Sequence, residues 1–175
     1  MRADMVMENV VAEGNPSVIP EVAEADATYL TFDLDGQTFA VAVQRVREIL
    51  DTQPLTRLPN TAHEIRGVID VRGASVPIID LSGRLGTSAA EEGLETRVIV
   101  FEIIDAEGQT RPMGVLADRV RDVCRIDASE IESAPDLTSN GMSQELVVGL
   151  SRKDGTLIVV IDLVQLFSDQ TLHAY

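Results

Sequence analysis

Apolar and polar positions alternate along most of the chain from Thr28 onward. Leu30, Phe32 and Leu34 alternate with Thr31 and Asp33, the period of a half-buried strand. Asp35-Gly36 supplies a hairpin turn, and Phe39, Val41 and Val43 mark the return strand. The period then changes: Val43, Val46, Ile49 and Leu50 suit one face of a short helical turn over residues 44–50. Pro54 and Pro59 bracket a short extended piece with Leu55 and Leu58. Strands are expected at 65–71 and 76–81 around a Gly73-Ala74-Ser75 turn, with Pro77 placing the second at an edge or bulge. Residues 82–95 are rich in Gly, Ser and Glu and predict a long loop. A strand at 97–104, a turn at Glu107-Gly108 and a β-branched-rich apolar run at 113–126 follow. A polar loop over 133–145 precedes a final hairpin, 146–150 and 156–163 about Lys153-Asp154-Gly155, and a C-terminal helix begins at 164–169.

Self-comparison adds organisation to this list. Gln44-Arg-Val-Arg-Glu-Ile49 resembles Asp118-Arg-Val-Arg-Asp-Val123 at a shift of 74. Gly67, Gly73, Ile79, Asp80 and Leu81 recur as Gly149, Gly155, Ile161, Asp162 and Leu163 at a shift of 82. The change of shift corresponds to one insertion, placed in the 133–145 loop. Each half holds several short strands, and closing so small a sheet into a barrel removes its exposed edges. The expectation is a mainly β protein: two small barrels packed together, one over about 28–86 and the other over about 96–168, with little helix and an apolar, permanent interface.

Composition narrows the function classes. The net charge is −15 and the pI about 4.3, which repels a phosphate backbone and an anionic membrane surface. Nucleic acid is therefore not an expected partner, and apolar runs of about six residues are far too short to insert in a membrane. Nothing resembles a signal peptide, so the expected compartment is the cytoplasm. Residues 1–27 carry six acids, one Arg, two prolines and no aromatic residue, which predicts a disordered acidic tail. A partner-binding segment around Val18-Ile19-Pro20 is the other reading. Cys124 is the single cysteine, so no intramolecular disulfide or cysteine-based zinc site is available, and it reads as a small core residue.

The residues that tempt a catalytic reading have simpler ones. Asp80 and Asp162 occupy equivalent repeat positions, as in a two-lobed hydrolase. They lack the Asp-Thr/Ser-Gly turn of an aspartic-protease dyad. Each ends a strand just before a helical stretch, where an Asp caps backbone N–H groups, and Asp162 with Gln165 has capping-box spacing. His63 and His173 neighbour no nucleophile or metal-ligand pattern. Gly67, Gly73 and Gly83 do not form a phosphate loop. No cofactor and no metal are expected. An oligonucleotide-binding barrel is the alternative of a different class, but it would need basic and aromatic strand faces. More suggestive are Arg66 and Arg72. The latter ends an apolar strand beside a glycine turn, where a rigidly held guanidinium suits a partner's carboxylate. Glu48 sits similarly among hydrophobic residues.

At this point the residues resemble a family. Val46-Arg-Glu-Ile-Leu50, Leu58-Pro59 and the long run from Gly67 through Arg72-Gly-Ala-Ser-Val-Pro to Leu81 are similar to the signature of CheW-like domains. Gly114-Val-Leu-Ala-Asp-Arg-Val120, Val147-Val-Gly-Leu150 and Ile158-Val-Val-Ile-Asp-Leu163 continue the likeness, which covers about 28–168. The resemblance implies two five-stranded, SH3-like β-barrels and no catalysis. It implies an adaptor that links the cytoplasmic tip of chemoreceptors (methyl-accepting chemotaxis proteins) to the regulatory domain of the histidine kinase CheA. It further implies a receptor groove between the barrels with Val46, Glu48 and Ile49 nearby, and Arg72 in the region used for array assembly. Asp70 followed by Val71 departs from the Asn and Leu usual in the family and puts a charge beside Arg72. The acidic tail is not a family feature either. A related type with an added receiver domain would need some hundred further residues. The chain also lacks the ATP-binding boxes of a kinase.

Overall fold

The structure, a computed structural model, describes residues 26–105, 107–133 and 146–163. The expected acidic tail up to residue 25, most of the 133–145 loop and the C-terminal helix and end, 164–175, lie outside the described residues. Among the described residues ten strands carry the fold: β1 Asp26–Leu34, β2 Gln37–Ala42, β3 Val46–Asp51, β4 Ile65–Val71, β5 Ala74–Ile79, β6 Arg97–Ile104, β7 Thr110–Ala117, β8 Arg119–Asp127, β9 Val147–Lys153 and β10 Thr156–Ile161. A single helical turn, α1 Ser82–Leu85, follows β5, and turns of 3-10 helix occupy Val43–Arg45 and Ala128–Glu130.

The strands form two five-stranded mixed sheets. Sheet one has the order β9-β10-β2-β1-β8, and sheet two the order β3-β6-β7-β5-β4. This corrects the expectation of two SH3-like barrels, because neither ladder closes on itself. In sheet two the terminal strands β3 and β4 share no ladder. The chain between them touches β4 through one bridge, Thr56 to Val68, and Pro54 and Pro59 on either side have no N–H to extend it. In sheet one the residues after β8 make the matching single bridge, Glu132 to Leu150.

The sheets also do not follow the two halves of the chain. Hairpin β1–β2 of the first half joins β8, β9 and β10 of the second. Hairpin β6–β7 of the second half joins β3, β4 and β5 of the first. The two sheet orders are nevertheless the same when β1 to β5 are matched with β6 to β10. Two parallel contacts seal the exchange, with Val159 opposite Phe39 in sheet one and Ile78 opposite Gly114 in sheet two. Strand periodicity carries no information about which half supplies a strand's neighbour, so the exchange is invisible in it.

The duplication itself is real in three dimensions. Gly67 and Gly149 each follow a register shift, and each lies where the crossing chain comes closest. A Cβ on Gly67 would stand 2.6 Å from the Thr56 carbonyl oxygen, and one on Gly149 2.4 Å from that of Glu132. Asp80 N–H donates to the Glu64 carbonyl and Asp162 N–H to the Leu146 carbonyl, both at 2.8 Å.

One main core spans both sheets. Leu30, Phe32, Phe39 and Val41 of sheet one pack in the same cluster as Ile78, Val98, Phe101 and Val115 of sheet two. The rings of Phe32 and Phe39 stack with centroids 5.9 Å apart. A smaller cluster of Ala40, Cys124, Ile126, Ile158 and Val160 makes Cys124 the core residue that the sequence suggested. Two local expectations fail. Residues 46–51 form a strand rather than a helical turn, because pairing with β6 along Ile49–Ile99 and Leu50–Val98 outweighs a weak helical period. Pro77 is buried on β5, an interior strand. It is tolerated because the parallel ladder with β7 begins only at Ile78.

Candidate partner-binding site

The four residues proposed from the sequence fall at one corner of sheet two. Val46 opens β3 opposite Phe101 and packs against the main core, half-buried. The ladder slips by a residue between Val46 and Glu48, so Arg47 bulges from it. Ile49 is 41 % exposed, a large apolar side chain left on the surface. Arg72 stands at the tip of the β4–β5 hairpin with φ 52°, followed by Gly73 at φ 85°, the left-handed pair of a tight hairpin turn. Asp70 fixes that turn by accepting the Gly73 N–H at 2.8 Å. The residue that departs from the family pattern therefore serves the turn that carries Arg72.

The structure brings Glu48 and Arg72 together. Arg72 Nη2 donates to Glu48 Oε2 at 2.5 Å. The two residues belong to β3 and the β4–β5 turn, at opposite ends of the sheet order, so the ion pair ties together edges that the ladder leaves open. Arg72 holds the Glu48 carboxyl below its usual range, chiefly through this hydrogen bond. Partial burial opposes the shift, and the charges of Arg72 and Arg47 add to it. Arg47 also spans toward Glu102 at 3.7 Å. The corner therefore holds a fixed pair of opposite charges, a partly buried Glu48 and an exposed Arg72, while Ile49 faces the other side of β3. Arg66 is engaged elsewhere: its Nη1 donates to the Ala90 carbonyl at 3.3 Å.

A second feature lies between the sheets. A groove of about 710 Å³ has Tyr29, Val41, Phe101, Ile103 and Val148 among its apolar lining, with Arg45, Glu102 and Asp162 as charged members. Val46, Glu48 and Ile49 are not on that lining, although Gln44 and Arg45 just before them are. The lining comes from six separate segments, so no local pattern could have revealed it.

The catalytic temptations resolve as structural. Asp80 Oδ1 accepts the Ser82 N–H at 2.9 Å in the turn that leads into α1, but Leu81 and not Asp80 occupies the cap position expected for it. The capping box expected at Asp162 and Gln165 falls partly outside the described residues. One formed instead at Asp127 and Glu130. His63 is exposed. Among the described residues no group of three or more His, Cys, Asp or Glu could hold a metal.

Two open, exchanged sheets thus carry an apolar groove and a charged corner on their surface. A family model described as CheW-like domain matches residues 28–171. The chain is 31% identical over 145 residues to the chemotaxis protein CheW of Rhizobium meliloti, covering 83% of this chain and 90% of that one. It is 33% identical over 136 residues to the chemotaxis protein CheW of Bacillus subtilis, covering 76% and 81%. The crystal structure of the scaffolding protein TtCheW from Thermoanaerobacter tengcongensis superposes with a TM-score of 0.71 at 29% identity, covering 83% of this chain and 90% of that one. The chain belongs to the CheW family: it is a non-catalytic chemotaxis scaffold.

Proposed function

We propose that the chain couples the cytoplasmic tips of chemoreceptors to the regulatory domain of CheA, working in the cytoplasm at the receptor arrays. The match to the CheW-like family over residues 28–171 carries this reading. The surface is consistent with it. An adaptor that keeps Val, Ile and Leu for its own core must bind through small apolar openings flanked by fixed charges. The groove between the sheets is such a place, and the Glu48–Arg72 corner is a fixed charge pair at the open edge of sheet two. Among the described residues no helix is long and apolar enough to cross a membrane. The test is co-sedimentation of CheA with receptor-bearing membranes at increasing amounts of the chain. Kinase in the pellet should rise with the chain and saturate. Kinase that pellets equally without it would overturn the proposal.

A further inference from the structure

The groove between the sheets starts where the described chain starts. Asp26 opens β1, and Ala27 and Tyr29 just after it lie on the groove lining. The segment before Asp26 therefore enters beside the groove, at the opposite end of β1 from the Asp35-Gly36 turn. That segment carries the run Val18-Ile19-Pro20, followed by the acids Glu21 and Glu24. The tether between Pro20 and Ala27 is Glu21 to Asp26. Fully extended it spans up to about 20 Å, enough for the run to turn back over the groove. So short a tether also holds the run at an effective concentration on the order of millimolar, so even a weak contact is populated.

The groove suits this run chemically. Tyr29, Phe101, Ile103, Ile131 and Val148 give it apolar surface, and Val148 is 53 % exposed. Val18 and Ile19 are apolar, and Pro20 has no N–H to leave unpaired on burial. Arg45 is the cation of the lining; it is exposed and makes no ion pair among the described residues. The acids of the lining are Glu102 and Asp162, and Arg47 spans toward the former at 3.7 Å. On a chain of net charge −15 most of the surface repels an acidic segment. Within this lining Arg45 alone attracts one, and Glu21 directly after the apolar run supplies its carboxylate.

We propose that residues 18–24 occupy the groove in cis, with Val18 and Ile19 on its apolar surface and Glu21 paired with Arg45. The chain thereby covers its own groove, and a partner that uses the groove must displace the segment. The displacement rests on the coupling reading above; the docking does not.

Paramagnetic relaxation in the isotopically labelled full chain tests the docking. A nitroxide on Ser17→Cys attaches selectively, because Cys124 is buried. It should broaden the amide signals of Phe101, Ile131 and Val148 and leave those of Gly36 and Gly155, at the far hairpin turns, sharp. Val18→Asp with Ile19→Asp should abolish the broadening, and so should Arg45→Glu. Glu21→Arg added to Arg45→Glu should restore it. No broadening, or equal broadening at the far turns, overturns the proposal. Broadening that passes from a nitroxide chain to a separate isotopically labelled chain puts a second copy in the groove and overturns it too. Co-sedimentation of CheA with receptor membranes reads the covering. The Val18→Asp, Ile19→Asp chain should half-saturate at about three-fold lower concentration than wild type, since its groove is always open. Identical curves from the two chains overturn the covering role. If neither chain carries kinase to the pellet, the coupling reading falls and the displacement falls with it, while the relaxation result still decides the docking.

Discussion

Sheet two and sheet one are built from equivalent strands in equivalent order, yet their open edges are finished differently. In sheet two a bridge and an ion pair, Thr56–Val68 and Glu48–Arg72, hold the terminal strands together. In sheet one the bridge Glu132–Leu150 has its counterpart, but the charged tie does not, since Asp122 and Asp154 stand at the two positions. The backbone scheme is thus common to both repeats, and the surface chemistry distinguishes them. A scaffold that must meet different partners at different faces can arise in this way. The interior fixes one architecture twice, and a few exposed positions differ.

The sharpest way to break the comparison is to attack the core that the sheets share. Phe39 and Phe101 are fully buried, one in each sheet, within a single cluster. Phe39→Ala and Phe101→Ala should each cost about 3–5 kcal/mol. Either should lower one cooperative transition in denaturant melts followed by circular dichroism. Two separated transitions would mean that the sheets are independent bodies.

Next in size are the crossing-point glycines. Gly67→Ala and Gly149→Ala should each destabilise by about 1–3 kcal/mol, since the new methyl group meets a backbone carbonyl that cannot swing aside. Gly67, with φ 149°, should suffer more, because an L side chain is strained there in addition. Equal melting of both variants and wild type would show that the two crossings are looser than described.

Arg72→Ala and Glu48→Lys should reduce assembly with kinase and receptor more than 10-fold, with melting close to wild type because the pair lies at the surface. Co-sedimentation beside thermal melts reads both quantities. Variants that melt normally and assemble fully would make the pair a solvated ornament.

The smallest effect is electrostatic. Glu48 titrates below its ordinary value of 4.5 in the folded chain, chiefly because Arg72 hydrogen-bonds it. A depressed carboxyl stabilises the fold above its unfolded pKa, and that contribution is lost as pH falls through the folded one. Thermal stability should therefore drop on acidification from about 4.5 downward, and Glu48→Gln should make the drop shallower. Asp105 and Asp127 are depressed as well, mainly by backbone N–H donors, so the drop should persist in part. An unchanged pH profile in Glu48→Gln would remove the pair from the stability account.

Much of this was legible in the sequence, and for physical reasons. The strands at Ile65–Val71 and Arg97–Ile104 were read with their observed bounds, because each is closed by charge, glycine or turn residues. The repeat was legible because close-approach and turn glycines tolerate few substitutes. Glu48 and Arg72 were picked out singly, but their meeting depends on a hairpin folding back across an open edge. The exchange of hairpins had no local signal at all. Residues 44–50 were misread since a run so short fits two periods, and only its neighbour β6 decides between them. Pro77 misled because its missing N–H matters only where a second ladder needs it.

The comparison rests on the exchanged hairpins, and cross-strand nuclear Overhauser contacts in the isotopically labelled full chain test them directly. Parallel-strand contacts are expected between Phe39 and Val159 and between Ile78 and Gly114. Contacts placing residues 37–42 beside residues 74–79 instead would return each sheet to its own half of the chain and contradict the account.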